Sequence, residues 1–285
     1  MSNVIATTKR IAFQGEPGAY ANLAAREAAP HAQAIPQPTF EEAMEAVKRG
    51  DCELCIIPVE NSLIGRIADI HHLLPESGLH IVGEHFLPIH HQLLGLPDAD
   101  LKYVSDVYSQ LPALSQCRKF LRDSALFAHN WYDTAGSAKH VAELGNPRFA
   151  AIASTLAGEI YGLKVLQADV EDEHHNATRF LIMSKSDARA ANSGAVVTTL
   201  LFQVKNAPAS LYKALGAFAT NGVNITKLES YQLGGSFNAT QFYADIQGHP
   251  DSPAVAAALE ELRFQTARMA IMGVYPAHPY REDMP

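Results

Sequence analysis

Ser184-Lys185-Ser186-Asp187-Ala188-Arg189-Ala190-Ala191-Asn192-Ser193-Gly194 is polar and built of small residues. A run of this kind makes a linker rather than a packed element, and the pattern of the chain changes across it. Downstream, Val196 to Val204 reads as a strand and Pro208 to Asn221 as a helix with Leu211, Leu215 and Phe218 inside. Asn221-Gly222 is a turn. Val223 to Leu233 and Thr240 to Gly248 read as a hairpin around Gly234-Gly235. Ser252 to Leu262, with Pro253 at its start, reads as a helix, and Ala267 to Tyr275 as a last strand. The order is βαββαβ, a ferredoxin-like unit. Its open sheet edges can pair with a second copy.

Upstream of the linker, strand and helix patterns alternate, which predicts a doubly wound α/β domain of two lobes around a cleft. Ile11-Ala12-Phe13-Gln14 reads as a short buried strand. The turn Gly15-Glu16-Pro17-Gly18 follows, then a helix carrying Tyr20, Leu23, Ala24 and Glu27 that Pro30 stops. A strand, a Gly-containing loop and a helix start present backbone N–H groups to an anion. The full dinucleotide pattern is missing, so no nucleotide is assigned. Thr39-Phe40-Glu41-Glu42 is a capping box, and Gly50 ends the helix it opens. Leu54 to Val59 is apolar on both faces, like a buried parallel strand. Glu60-Asn61-Ser62 sits at that strand's carboxyl end, where open α/β sheets bind ligands. A plain turn bonding its own backbone reads equally well there.

The pattern continues with a helix around Ile64 to Leu74 and strands over Leu79 to Val82 and Leu87 to Leu94. Ser109 is the expected N-cap of a helix with Pro112 in its first turn. Leu114, Cys117 and Leu121 share one face of that helix, and Gln116 another. Thr134-Ala135-Gly136-Ser137 precedes a helix to Leu144, and Phe149 to Ala153 is a strand with a helix after it.

Composition narrows the function classes. With 285 residues, 47% apolar and 18% charged, the chain suits a globular protein of two domains. A formal net charge of −8 and no Lys/Arg cluster argue against nucleic-acid binding. An acidic protein that binds an anion must supply local donors. The opening residues lack an apolar signal segment, and no apolar run reaches the length of a membrane span. Three Cys, an odd number, favour a reducing compartment, so a cytoplasmic protein is expected. Cys52-Glu53-Leu54-Cys55 lacks a second pair and runs straight into a strand pattern, so packing is the expected role. His71-His72, His90-His91 and His174-His175 are adjacent pairs. Adjacent side chains diverge on a strand or a helix, so no metal site is expected.

Asn176-Ala177-Thr178-Arg179-Phe180 carries the chemistry. Here the acidic run Glu171-Asp172-Glu173-His174-His175 enters the alternating strand Phe180-Leu181-Ile182-Met183. At the mouth of that strand Thr178 can donate to a leaving oxygen and Arg179 can hold a carboxylate. A capped strand start with a structural Arg is the plainer alternative.

In order along the chain, these segments resemble prephenate dehydratase carrying a C-terminal ACT regulatory domain. Gly15-Glu16-Pro17-Gly18-Ala19-Tyr20-Ala21 is similar to that family's first loop, and Ile57-Pro58-Val59-Glu60-Asn61-Ser62 to its Pro-x-Glu-Asn-Ser segment. Val107-Tyr108-Ser109 with Gln116-Cys117, Asp133-Thr134-Ala135 and Asn176 to Phe180 follow in the family's order, ahead of Leu228-Glu229-Ser230 in the ACT-like unit. The resemblance implies dehydration and decarboxylation of prephenate to phenylpyruvate, without metal or organic cofactor because aromatisation drives the reaction. It implies Thr178, Glu60, Asn61, Ser109 and Gln116 as catalytic residues. Arg179, Thr134, Ala135, Phe180, Gly18, Ala19, Tyr20 and Ser62 follow as substrate-binding residues.

The resemblance further implies a catalytic domain over 9–185, a linker over 186–194 and an ACT domain over 195–278. L-phenylalanine is the expected effector, at Ala209, Ser210, Leu211, Asn224, Ile225, Glu229 and Ser230 between two copies. That makes a homodimer or homotetramer the expected assembly. Arogenate as substrate, or a non-enzymatic amino-acid or solute sensor, are the alternatives. The sequence departs from the family at Ala19 and Ala21, which replace hydroxyl residues, and at Gln110, where many members have His. It departs again at Ala209-Ser210-Leu211-Tyr212 and Glu229-Ser230-Tyr231-Gln232, the two segments that the resemblance implies as the phenylalanine site.

Overall fold

The computed structural model describes residues 3–232 and 239–282. The expected turn at Gly234-Gly235 lies outside them. The chain opens with α1 (Asn3–Thr7), β1 (Arg10–Gln14), α2 (Tyr20–Ala28), β2 (Gln33–Gln37), α3 (Phe40–Arg49), β3 (Leu54–Asn61), β4 (Gly65–Arg66) and α4 (Ala68–Leu73). It continues with β5 (His80–Pro88), β6 (Gln92–Gly95), β7 (Asp106–Ser109), α5 (Leu111–Gln116), α6 (Arg118–Asp123), β8 (Phe127–Asn130), α7 (Thr134–Leu144) and β9 (Phe149–Ala153). Then come α8 (Thr155–Tyr161), β10 (Lys164–Gln167), β11 (Ala177–Ser184), β12 (Val196–Val204), α9 (Ser210–Thr220), β13 (Ile225–Gln232), β14 (Ala239–Gln247), α10 (Pro253–Gln265) and β15 (Thr266–Pro276). Among the described residues no helix is long and apolar enough to cross a membrane.

The chain divides into two compact units that do not follow chain order. One gathers Lys9–Ala68 and His85–Phe180, the other Met1–Thr8, Asp69–Glu84 and Leu181–Pro285.

The first of these holds two α/β lobes. In one, β1 pairs in parallel with β2 and with β3, and the opening of β11 lies beside β3. Helices α2 and α3 cover this sheet. Thr39 caps α3 by accepting from the N–H of Glu42, and Gly50 ends it in the left-handed region. The other lobe is a five-stranded sheet in the order β10-β6-β9-β7-β8. Its core is apolar, with Leu93, Val107, Ile152, Leu114 and Cys117 buried together. The lobes are tied at the first Gly loop. Ser154 Oγ donates to Gly18 O at 2.6 Å, and Tyr161 Oη to Pro17 O at 2.9 Å. Gly18 has φ +93°, and a Cβ there would meet the backbone of Ala157 at 2.7 Å. Only glycine fits both constraints.

The other unit carries the βαββαβ order. Its four strands lie as β13-β14-β12-β15, with neighbouring strands antiparallel. This is a ferredoxin-like sheet. Helices α9 and α10 lay Ala217, Phe218, Ala258 and Leu262 on Leu200, Phe202 and Ile246. Residues 69–84 belong to this unit, and β5 meets β15 there in parallel at Ile81 and Gly273. Arg281 donates to both oxygens of the buried Glu84, at 2.6 and 2.8 Å. The linker is tied down here: Ala190 N donates to Val274 O at 2.8 Å, and His249 Nε2 stands 3.1 Å from Ala190 O.

Several local expectations need correction. The helix expected from Ile64 starts at Ala68, because β4 first folds back on Glu60 and Asn61. The strand expected over Leu87 to Leu94 is broken: the N–H of Ile89 turns to Asn176 O at 2.8 Å. Ser109 is not the N-cap. Gln110 holds that place, and Ser109 closes β7 with its Oγ donated to Ile152 O at 2.7 Å. The helix after it breaks at Cys117 into α5 and α6.

Candidate active site

Strand alternation sorts the site residues. β3 and the start of β11 are neighbours, so Asn61 and Thr178 share one face and Glu60 and Arg179 the other. The first face borders a cleft of about 400 Å³ between the two lobes. Its walls are largely apolar, with Phe40, Pro58, Ile89, Pro112 and Phe180 among them. This corrects the expectation that Arg179 reaches the cleft. Arg179 is 3% exposed, and its Nη1 donates to Glu60 Oε1 at 2.9 Å. The ring of Phe86 lies 6.0 Å from its guanidinium. Neither Arg179 nor Glu60 lines the cleft. Among the described residues, the permanent cation on its wall is Arg66, from β4.

A line of polar side chains runs along the cleft. Asn61 Oδ1 accepts from the N–H groups of Leu63 and Ile64 at 3.0 and 3.1 Å. Its Nδ2 donates to Thr178 Oγ1 at 3.0 Å and to Asn176 Oδ1 at 2.7 Å. Asn176 Nδ2 donates to Gln116 Oε1 at 3.2 Å. The same Oε1 stands 2.7 Å from His91 Nε2. His91 Nδ1 stands 2.7 Å from Tyr20 Oη, which is also 2.9 Å from His90 O. Burial holds the His91 pKa below the ordinary imidazole value, against smaller opposing pulls from Gln116 and Glu171. Burial holds the Tyr20 phenol well above its usual range, with help from Cys117 and Glu171, so it stays protonated. Along this line of side chains the Thr178 hydroxyl proton is left over, and Gln116 Nε2 is buried without a partner.

The remaining expected residues divide. Thr134 lines the cleft at the first turn of α7, whose cap is Asp133 accepting from Gly136 N at 2.5 Å. Burial raises the Asp133 pKa. Ala19, Tyr20 and Phe180 also line the cleft. Four others are brought near but committed elsewhere. Ser109 is fully buried on Ile152 O, and Ala135 is in the core of the second lobe. Gly18 supports the lobe contact. Ser62 Oγ bridges His175 O and Ala177 N, at 3.0 and 2.9 Å.

His91, Arg66 and Gln110 line the cleft as well, and nothing in their local sequence announces it. His90-His91 reads only as a poor metal pair. In the structure His90 gathers with Asp169 and Glu171, ligand atoms within 4.8 Å of one another. Glu171, though, accepts the His91 N–H at 2.8 Å, and so anchors the backbone of the cleft. Cys52 and Cys55 are buried, and burial raises both thiols.

The expected effector residues are not brought together within one chain. Ala209, Ser210 and Leu211 open α9, whereas Asn224 and Ile225 lie past its other end, about 16 Å away for 11 residues. Asn224 Nδ2 donates to Gln247 Oε1 at 3.2 Å, and Glu229 pairs with Lys227 at 3.3 Å on β13, next to Ser230. Ala209 adopts φ +61°, the left-handed region.

Comparison with known proteins follows the same lines. Residues 11–188 match the model of the prephenate dehydratase family. The chain is 49% identical over 272 residues to a bifunctional N-acyl-homoserine lactone acylase/prephenate dehydratase of Komagataeibacter europaeus, covering 95% of this chain and 97% of that one. It is 34% identical over 276 residues to the chloroplastic arogenate dehydratase/prephenate dehydratase 2 of Arabidopsis thaliana, covering 94% of this chain and 72% of that one. Among solved structures, the prephenate dehydratase of Arthrobacter aurescens in complex with L-Phe matches with a TM-score of 0.87 at 28% identity, over 97% of this chain and 92% of that one.

Proposed function

Because the chain belongs to the prephenate dehydratase family, we propose that its cleft takes prephenate and releases phenylpyruvate, carbon dioxide and water. One observation carries this reading. Thr178 Oγ1 accepts from Asn61, so its own proton is left for the cleft. In the reaction the ring C–O bond breaks as hydroxide leaves, and the bond to the ring carboxylate breaks as carbon dioxide. The electron pair of that second bond enters the ring and completes the aromatic sextet. Hydroxide is a poor leaving group. Thr178 donates a hydrogen bond to it, Asn61 steadies the charge that builds on the threonine oxygen, and a proton from solvent completes the water. The unspent N–H of Gln116 and the charge of Arg66 are the groups best placed to hold the substrate's oxygens. The apolar walls match the ring.

Prephenate is favoured over arogenate because the carboxylate on the wall, Asp133, is committed to the cap of α7. An ammonium group would find little to answer it. The test is turnover by the purified protein on prephenate, arogenate and an N-acyl-homoserine lactone, beside Thr178→Val. Turnover of prephenate that survives in Thr178→Val within about threefold would reject the role given to Thr178.

The catalytic domain spans 9–185 and the ACT domain 195–278, joined by 186–194. L-phenylalanine binds the ACT domain between two copies. The wide separation of Ala209 and Asn224 in one chain supports a shared site, as does the L-Phe complex of the Arthrobacter aurescens relative. Calorimetric titration of L-phenylalanine into the full chain, with Asn224→Ala as the partner experiment, tests this. Undiminished binding in the variant would move the site elsewhere.

A further inference from the structure

We propose that His91 is a positioning residue: held as its Nε2–H tautomer, it closes a one-way chain of hydrogen bonds that keeps the Thr178 proton turned to the cleft. This rests on the role given to Thr178 above.

The direction of the chain follows from its anchored end. Two backbone N–H groups, of Leu63 and Ile64, point at one atom of the Asn61 amide. A backbone N–H can only donate, so that atom is the oxygen. The Asn61 nitrogen therefore faces Asn176 and Thr178, and the atom of Asn176 that meets it is an oxygen. The nitrogen of Asn176 then faces Gln116, whose near atom is again an oxygen. That oxygen lies 2.7 Å from His91 Nε2, so Nε2 must carry a proton. Turning any one amide over would set two oxygens or two N–H groups against each other.

The other ring nitrogen is settled from the opposite side. His91 is 2% exposed. Tyr20 from α2, Gln116 from α5, the neighbouring His90 and the Glu171 carboxylate surround it. Desolvation disfavours the imidazolium there, so Nδ1 is bare and accepts the Tyr20 proton at 2.7 Å. His91 thus supplies a fixed donor at the far end, and the backbone fixes the near end. Between them Gln116, Asn176 and Asn61 have one satisfied arrangement, and in it Thr178 can only accept from Asn61. Without the His91 donor, Gln116 Oε1 keeps only its bond from Asn176, and the chain is held from the backbone end alone.

Two measurements test this on the full-length protein. The first is the imidazole spectrum of ¹⁵N-histidine-labelled protein near neutral pH, with His91→Gln to assign the signal. The expected result is a neutral ring protonated at Nε2. A ring protonated at Nδ1, or charged, overturns the proposal. The second is kinetic. Gln at 91 can place an N–H where Nε2 stands, so His91→Gln should keep kcat on prephenate within about threefold. His91→Leu offers no donor and should lose about tenfold in kcat, the size of one net hydrogen bond, with KM little changed. Equal losses in both variants would overturn the proposal. If the wild-type protein does not turn over prephenate, the reading of the reaction falls instead, and the tautomer alone decides the chain.

Discussion

Replacing Asn61 by Asp reverses the polarity of the cleft while changing almost no volume. Asn61 accepts from the N–H groups of Leu63 and Ile64 and donates to Asn176 and Thr178. In Asn61→Asp the two accepted bonds survive and strengthen, because two backbone donors hold the carboxylate ionised. The donated bonds, at 2.7 and 3.0 Å, become contacts between oxygens. Relief comes in one way. Thr178 gives its proton to the new carboxylate, and Asn176 turns its amide. Gln116 must then turn as well, and His91 must present a bare Nε2. Tyr20 sends its proton to His90 O, already 2.9 Å away. Every bond is remade, so stability should change by only about 1 kcal/mol. Catalysis should not survive, because the Thr178 proton no longer faces the leaving group. The expected fall in kcat is about 10²–10⁴-fold, the size of a lost proton donor. The assay is steady-state turnover of prephenate at saturation, paired with thermal denaturation. A well-folded Asn61→Asp protein with kcat within about tenfold of wild type would refute the reasoning.

Three further outcomes follow from other parts of the molecule. Arg66→Gln should raise KM by about tenfold or more without shifting Tm, whereas Arg179→Met should cost about 1–3 kcal/mol of stability by breaking its bond to Glu60; paired kinetics and melting curves check both, and the opposite pattern would restore Arg179 to the cleft. Ala209→Gly should raise Tm by a few degrees, since a left-handed L-residue at φ +61° costs about 1–2 kcal/mol and glycine recovers part of it; a lower Tm counts against the strain. Because the folded pKa of His91 is depressed, the unfolded chain binds more protons there, so its contribution to stability is complete above the ordinary imidazole value of about 6.5 and fades as pH falls below it. Denaturant titrations of wild type and His91→Gln should therefore diverge on the acid side and agree above neutrality.

The order of elements was legible because each half of the chain announces its own period. Capping at Thr39 and Gly50, the carboxyl end of the strand carrying Asn61 and the start of the strand carrying Thr178 fall where local chemistry places them. The face taken by Arg179 was not legible in the same way. Alternation says that Thr178 and Arg179 part company, but only the pairing of β11 with β3 says which of them meets the cleft. Ser109 shows the same limit, since its hydroxyl is claimed by Ile152, 43 residues away in sequence. His91 was hidden for a further reason. Its partners come from α2 and α5, and the side-chain amide that reads its tautomer is fixed through Asn176 by the backbone after β3. No window of sequence contains that set.

The pairing of Ile81 with Gly273 bears on how such a protein can be recombined. A Cβ at Gly273 would collide with the backbone of Ile81, so position 273 must stay glycine and the two segments must keep their close fit. A gene fusion that exchanges everything after the linker swaps one member of that pair and leaves the other behind. The C-terminal unit is therefore no detachable cassette: residues 69–84 belong to it, although they are encoded more than a hundred codons upstream of the linker. A working chimera would need two breakpoints, one on each side of that early segment, in addition to the cut at 186–194.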